Sequence, residues 1–187
     1  MAKIVGSLAV MVTMLLTSCV RPCRVEGTVS DISENTITIT TAEDAIVTFS
    51  TRGAKMCCPA GIHRGSPVIV EFSDDVSDGF GNAERVEAPE EYNLLIGRWI
   101  APCGGNPECM HGFELRPDGE VLEIGDHSIL YNYWRYADGT LSLAEAEENL
   151  LIDRFDLAHH WTIEHIDSAT LTISGYGRTE TFARGER

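Results

Sequence analysis

The sequence predicts an all-β chain built as two consecutive strand-rich units. Three observations carry that reading. Apolar and polar residues alternate over short runs along most of the length. Acidic or glycine-bearing turns punctuate those runs. A proline within a carboxylate cluster, "EAPEEYN" at residues 87–93, divides the pattern in two.

The first unit, residues 24–88, contains the runs "RVEGTVSDI", "NTITITT", "AIVTFST", "SPVIVEFS" and "AERVEA". Ile37 and Ile39 alternate with Thr36, Thr38 and Thr40, and Val68 and Val70 alternate with Ile69 and Glu71, the period of a strand with two distinct faces. The intervening "SENT", "AED" and "SDGFGN" are hairpin turns by composition. Five strands in so short a span suit a small closed sheet, and a five-stranded OB-like barrel is the expected solution. "RGAKMCCPAGIHRG" lies where such a barrel places a helix or a long loop.

The second unit, residues 91–187, reads as eight or nine sequential strands: "LIGRWIA", "GFELRP", "EVLEI", "SILYNYWRYA", "TLSLAEA", "NLLIDRFDL", "HWTIEHI", "ATLTIS" and "TETFAR". Tight turns at "PDGE", "ADGT" and "IDSA" join them. Sequential strands of this number predict an up-and-down barrel, because closure removes the unpaired edges of an open sheet. "SLAEAEENLL" alone has helical character, and its alternation of Leu141 and Leu143 with polar positions reads as strand.

The start of the chain points to export. Lys3 is followed by "IVGSLAVMVTMLLTS", a charged start, a short apolar core and a small-residue end. That core is shorter than the roughly 20 apolar residues that span a bilayer. Leu16, Thr17, Ser18 and Cys19 resemble a lipobox, the processing site of bacterial lipoproteins. The resemblance implies a signal peptide over 1–18, acylation (palmitate) of Cys19, a tether over 19–23 and the lipid bilayer as a partner. Several acyl chains together give a stable anchor. An ordinary secretory peptide cut nearby is the alternative. Val20 in place of a retaining aspartate points to the outer membrane, and the lack of an acidic cluster after Cys19 points to the periplasmic side. A net charge of −15 repels phosphate backbones, which argues against nucleic acid as a partner.

In the second unit, "LLIGRW" places Gly97 two residues before Trp99, followed by Pro102, Gly112, Phe113, "RPDGEVLEI", then Leu130, Tyr131 and Trp134, then "LSL" and "WTIEHIDSATLTI". This order resembles the lipocalin-like domain of small bacterial lipoproteins over residues 91–184. Some of those proteins also carry upstream counterparts of "GTVSDISENTITI" and "TFST". The resemblance implies a barrel with an apolar interior, in which Gly97 permits close packing and Trp99 closes one end. It implies no established ligand.

Eight strands enclose a barrel that is either filled by side chains or wide enough for one small ligand. Strand alternation sets Tyr131 and Tyr133 on one face and Asn132 and Trp134 on the other. These aromatics are the candidate ligand contacts, with Trp134 inward either as pocket wall or as core; Trp161 shares a face with Ile163. Cys103 and Cys109 flank a Gly-Gly-Asn-Pro turn able to bring two Cα atoms to about 5.5 Å, and a disulfide is the leading reading. His111 beside them offers a thiolate and imidazole metal site as the alternative. Adjacent Cys57 and Cys58 rarely bridge each other, so one of them is a candidate partner for Cys23.

No catalytic or metal site emerges. The chain lacks G-x-S-x-G, H-E-x-x-H and a phosphate-cradling glycine loop. His159 and His160 point to opposite faces of a strand, and the run containing Asp74, Asp75 and Asp78 lacks the glycine and terminal glutamate of an EF-hand loop. The reading is therefore a non-enzymatic, cofactor-free envelope lipoprotein that binds a small apolar ligand. Alternatives are a scaffold or sensor with packed barrels that docks on another envelope protein, and a thiol-redox or metal-handling protein.

Overall fold

Alternation with a period of two commits both units to sheet, and one short helix joins them. The computed structural model describes residues 22–59, 61–73, 76–104, 106–125, 131–145, 155 and 157–186. The expected signal segment, Cys19, Asp74, Asp75, Leu130 and most of "NLLIDRFDL" lie outside these residues.

The first unit is a seven-stranded sheet of β1 (Cys23–Ile32), β2 (Thr36–Thr40), β3 (Ile46–Ser50), β4 (Lys55–Cys57), β5 (Pro67–Phe72), β6 (Phe80–Asn82) and β7 (Arg85–Glu87), in the order β4-β7-β5-β1-β2-β3-β6. Five of these coincide with the five expected runs. The two additional strands are three residues each. β4 occupies the segment expected as a helix or long loop, because Lys55–Cys57 pairs in parallel with Arg85–Glu87. β6 arises within the "SDGFGN" turn by pairing in parallel with β3, Thr48 opposite Phe80.

Only Ala83 and Glu84 separate β6 from β7. Ala83 N–H donates to Ser50 O on β3 at 2.9 Å, and Glu84 N–H donates to Glu71 O on β5 at 2.8 Å. One stretch of chain thus crosses from one flank of the sheet to the other. Ile37, Ile39, Phe49, Val70 and Val86 are wholly buried on its inner face.

The carboxylate cluster read as a break is in fact helix α1 (Glu90–Leu95). Pro89 at its start and Glu90 and Glu91 in its first turn are helix-start signals, since acids favour the positive end of the helix dipole. It buries Tyr92 and Leu95 against the second unit.

That unit is an eight-stranded, nearly closed barrel: β8 (Gly97–Cys103), β9 (Asn106–Leu115), β10 (Val121–Ile124), β11 (Tyr133–Ala137), β12 (Thr140–Ala144), β13 (His159–Ile166), β14 (Thr170–Gly175) and β15 (Arg178–Arg184). All paired neighbours are antiparallel, and β15 returns to β8 through Ala183 opposite Ile100 and Arg184 opposite Trp99. Between β10 and β11 the ladder thins to a bridge of Glu120 with Tyr133 and two flanking backbone bonds, Val121 N–H to Asn132 O and Trp134 N–H to Gly119 O. The core includes Trp99, Leu115, Trp134, Leu141, Leu171 and Phe182. Among the described residues no helix is long and apolar enough to cross a membrane.

Arg184 fastens the barrel to α1. Its Nη1 donates to Ile96 O at 2.9 Å and its Nη2 to Leu94 O at 2.7 Å, while the guanidinium lies 4.1 Å from the centre of the Trp99 ring. Trp99 is wholly buried and its indole N–H donates to Leu95 O at 2.7 Å. Gly97 has φ +130°, and a Cβ there would lie 2.6 Å from Arg184 Nη1. Replacing Arg184 with Met leaves the carbonyls of Leu94, Ile96 and, at 3.4 Å from Nε, Ser168 without their charged donor. Urea unfolding is expected to show a loss of about 2–3 kcal/mol with an unchanged m value.

Candidate binding site in the barrel

Inward-facing positions recur every second residue along a strand. On β9 they are Leu115, Phe113 and His111; on β10, Val121 and Glu123; on β15, Phe182, Glu180 and Arg178. Leu115, Val121 and Phe182 belong to the buried core. His111, Glu123, Glu180 and Arg178, farther along the same rows, are polar and line one cavity of about 150 Å³. Its apolar walls are Phe113, Leu143, Trp161, Ile173 and Phe182, and Tyr131 adds a phenol.

The polar groups are unevenly satisfied. Tyr131 N–H donates to Glu123 Oε1 at 2.7 Å. Glu123 Oε2 is buried and has no hydrogen-bond partner among the described residues. Arg178 Nε lies 3.0 Å from Glu180 Oε1, and its guanidinium sits 4.9 Å from the Trp161 ring centre. Trp161 is 3 % exposed, and its Nε1 too has no hydrogen-bond partner among the described residues. A buried donor or acceptor left unpaired costs free energy, so Glu123 and Trp161 are points of polar strain in the wall of this cavity. The Tyr131 hydroxyl and His159 Nδ1 share a hydrogen bond beside this cavity. Burial pushes the Tyr131 hydroxyl up to about 12, against the opposing pull of Arg178.

The three aromatics expected as ligand contacts do not converge. Tyr131 lines this cavity. Trp134 is core: it is 3 % exposed, stacks on Tyr92 at 5.2 Å between ring centres, and donates from Nε1 to Arg116 O at 2.7 Å. Tyr133 and the edge of Trp134 border a different groove of about 270 Å³, where Arg64 and Ser66 of the first unit meet the barrel. The expectation that Tyr131 and Tyr133 share a face fails because β11 begins at Tyr133, leaving Tyr131 outside the pleat.

Cys103 and Cys109 form a disulfide with Cα atoms 5.3 Å apart, which leaves no thiolate there for a metal. Cys23, Cys57 and Cys58 are free, so the proposed bridge to Cys23 is not made. Cys23 pairs with Phe72 at one end of β5, whereas Cys57 pairs with Glu87, which faces Ile69 three residues farther along. Cys58 packs against the barrel core, where burial raises its thiol.

Sequence reasoning missed Glu123, Arg178 and Glu180. The available signal was parity: each lies a multiple of two residues from an apolar core position, Val121 or Phe182, and so puts a charge on an inward-facing row.

A family model described as lipocalin-like matches residues 91–185. Among solved structures, a lipocalin-like protein from Bacteroides thetaiotaomicron VPI-5482 is similar, at 16% identity over 49% of this chain and 96% of that chain, with a TM-score of 0.39. No curated protein matches the chain.

Alkaline titration reports on the buried phenols. Tyr131 and Tyr136 hold their protons up to about 12 when folded, Tyr136 through burial and then its hydrogen bond to Glu91, against an ordinary value near 10. Between those values the unfolded chain binds fewer protons, so stability present below pH 10 is lost as pH rises towards 12. Urea melts at pH 9 and pH 11.5 are expected to show that fall, and a Tyr131→Phe, Tyr136→Phe double variant to lessen it.

Proposed function

The chain belongs to the lipocalin-like family, and from that premise we propose that it is a lipid-anchored binding protein of the bacterial envelope whose barrel holds one small molecule. Lipocalin-like proteins are generally non-enzymatic binders, and the fold suggests a ligand-binding or scaffold role. One observation carries the choice of ligand binding: a barrel cavity of about 150 Å³ with apolar walls of Phe113, Leu143, Trp161, Ile173 and Phe182 and with Tyr131, Glu123, Glu180 and Arg178 in its lining. The cavity is benzene-sized by comparison with known protein cavities. The ligand is therefore small, and more polar than the apolar molecule the sequence alone suggested.

Anchoring rests on the lipobox resemblance around Cys19, and the outer membrane with a periplasm-facing body follows from Val20 and the residues after it. We read the first unit as OB-like. The continuous crossing of residues 80–87 from β3 to β5 supports a closed path of five main strands. Docking on another envelope protein is the second reading, favoured by the 270 Å³ groove between the units.

Native mass spectrometry of a form beginning at Val20, purified from a periplasm without detergent, tests the first reading. The expected result is an added mass that leaves on denaturation; a bare polypeptide turns the argument towards the scaffold. For the anchor, Cys19→Ala is expected to move the full-length chain from the membrane to the soluble fraction.

A further inference from the structure

We propose that the first unit rests one end of its sheet on the bilayer, with Ile46 and Phe80 as a second membrane contact besides the acylated Cys19, a reading that rests on the lipid anchor. Topology brings the parts together. β1 is antiparallel to β2 and β5, β2 is antiparallel to β3, and β3 is parallel to β6, so β1, β3 and β6 run in one direction. Their first residues, Cys23, Ile46 and Phe80, therefore stand at the same end of the sheet. The tether emerges from that end. Cys23 is four residues past Cys19, and such a stretch reaches no farther than about 14 Å when fully extended.

The same end presents apolar side chains outward. Val47 and Phe49 pack into the core, so alternation turns Ile46 and Thr48 to the outside. Ile46 is 66 % exposed and Phe80 is 48 % exposed. They lie on adjoining strands, since Phe80 pairs with Thr48 and Thr48 N–H donates to Gly79 O at 2.8 Å. Thr40 lies opposite Ile46 and Thr38 opposite Thr48, so uncharged residues flank the pair across the strands. An apolar pair set among hydroxyls suits the boundary between lipid headgroups and acyl chains. The anchor makes even a weak contact effective, because the contact forms within one tethered molecule. Glu43 and Asp44 precede β3 and Asp78 precedes β6, and these carboxylates repel anionic headgroups. The surface that fits is therefore zwitterionic phospholipid.

The acylated full chain in vesicles of brominated phosphatidylcholine provides the test. Trp99, Trp134 and Trp161 are buried, so Phe80→Trp adds one emitter at the contact, and Leu122→Trp adds one at an exposed barrel position as the control. Thermal melts check that both fold. Bromolipid is expected to quench the added emission of Phe80→Trp and to spare that of Leu122→Trp. Ile46→Asp in the Phe80→Trp chain is expected to lessen the quenching, as is admixture of anionic phosphatidylglycerol. On the unsubstituted chain, amide exchange over residues 44–48 and 78–81 is expected to be slower on vesicles than in the form beginning at Val20, which keeps the test independent of any variant.

Co-flotation with the vesicles, lost in Cys19→Ala, reads the anchor separately. A chain that floats while Phe80→Trp is quenched no more than Leu122→Trp, or whose amide exchange is equal in the two forms, overturns the proposal and leaves the anchor standing. A blue shift of Phe80→Trp without quenching overturns it in favour of contact with a second copy or another protein. Quenching that rises with phosphatidylglycerol overturns the choice of a zwitterionic surface. A chain that does not float removes the anchor and the proposal with it.

Discussion

The contact on which the barrel depends is the seat of the Arg184 guanidinium. The last strand meets the first over only two paired positions, Ala183 with Ile100 and Arg184 with Trp99. So short a ladder contributes little by itself. Arg184 supplements it with two charge-assisted bonds to the carbonyls of Leu94 and Ile96 and with a cation–π contact on Trp99. The same side chain explains why Gly97 is glycine: its positive φ and the nearness of Nη1 leave no room for a Cβ. Helix α1, β8 and β15 are held by one group, and the chain's two ends of the barrel are joined through it.

With that end fixed, the barrel is divided along its length. Trp99, Leu115 and Leu95 are wholly buried in the region near α1, and Trp134 adds its ring with its N–H already satisfied. The inward rows turn polar only beyond Phe113, Val121 and Phe182. A barrel of this strand number can be packed or hollow, and here the packed core near α1 gives way to the 150 Å³ cavity. Tyr92 extends the packed part towards the first unit: its hydroxyl donates to Pro117 O at 3.2 Å and shares a hydrogen bond with Ser66 at 3.3 Å.

Alternation made most of this legible in the sequence. Each of the five runs in the first unit became a strand, and so did the eight described runs of the second, because half-buried sheet writes its period directly into the residues. What escaped depends on contacts made at a distance. β4 and β6 are three residues long and exist only because β7 and β3 lie beside them in parallel. Helix α1 hid within a carboxylate cluster whose proline and paired acids were its start signal. The Cys103 and Cys109 pairing could be read because a short turn fixes it locally, whereas the register that keeps Cys23 from Cys57 is a property of three strands together. At the site, Tyr131 was found by residue type. Glu123 was passed over because "EVLEI" reads as apolar, although its alternation places that charge inside.

The thinned ladder between β10 and β11 has a consequence for how the interior is reached. Local opening costs least where the fewest backbone hydrogen bonds must break. This seam is spanned by one bridge and two backbone bonds, and Glu123 and Tyr131, which border it, are tied across it by a side-chain bond. Glu123 thus lines the cavity and also ties the wall beside it. A substitution at Glu123 therefore acts on the closure of the wall as well as on the lining of the cavity.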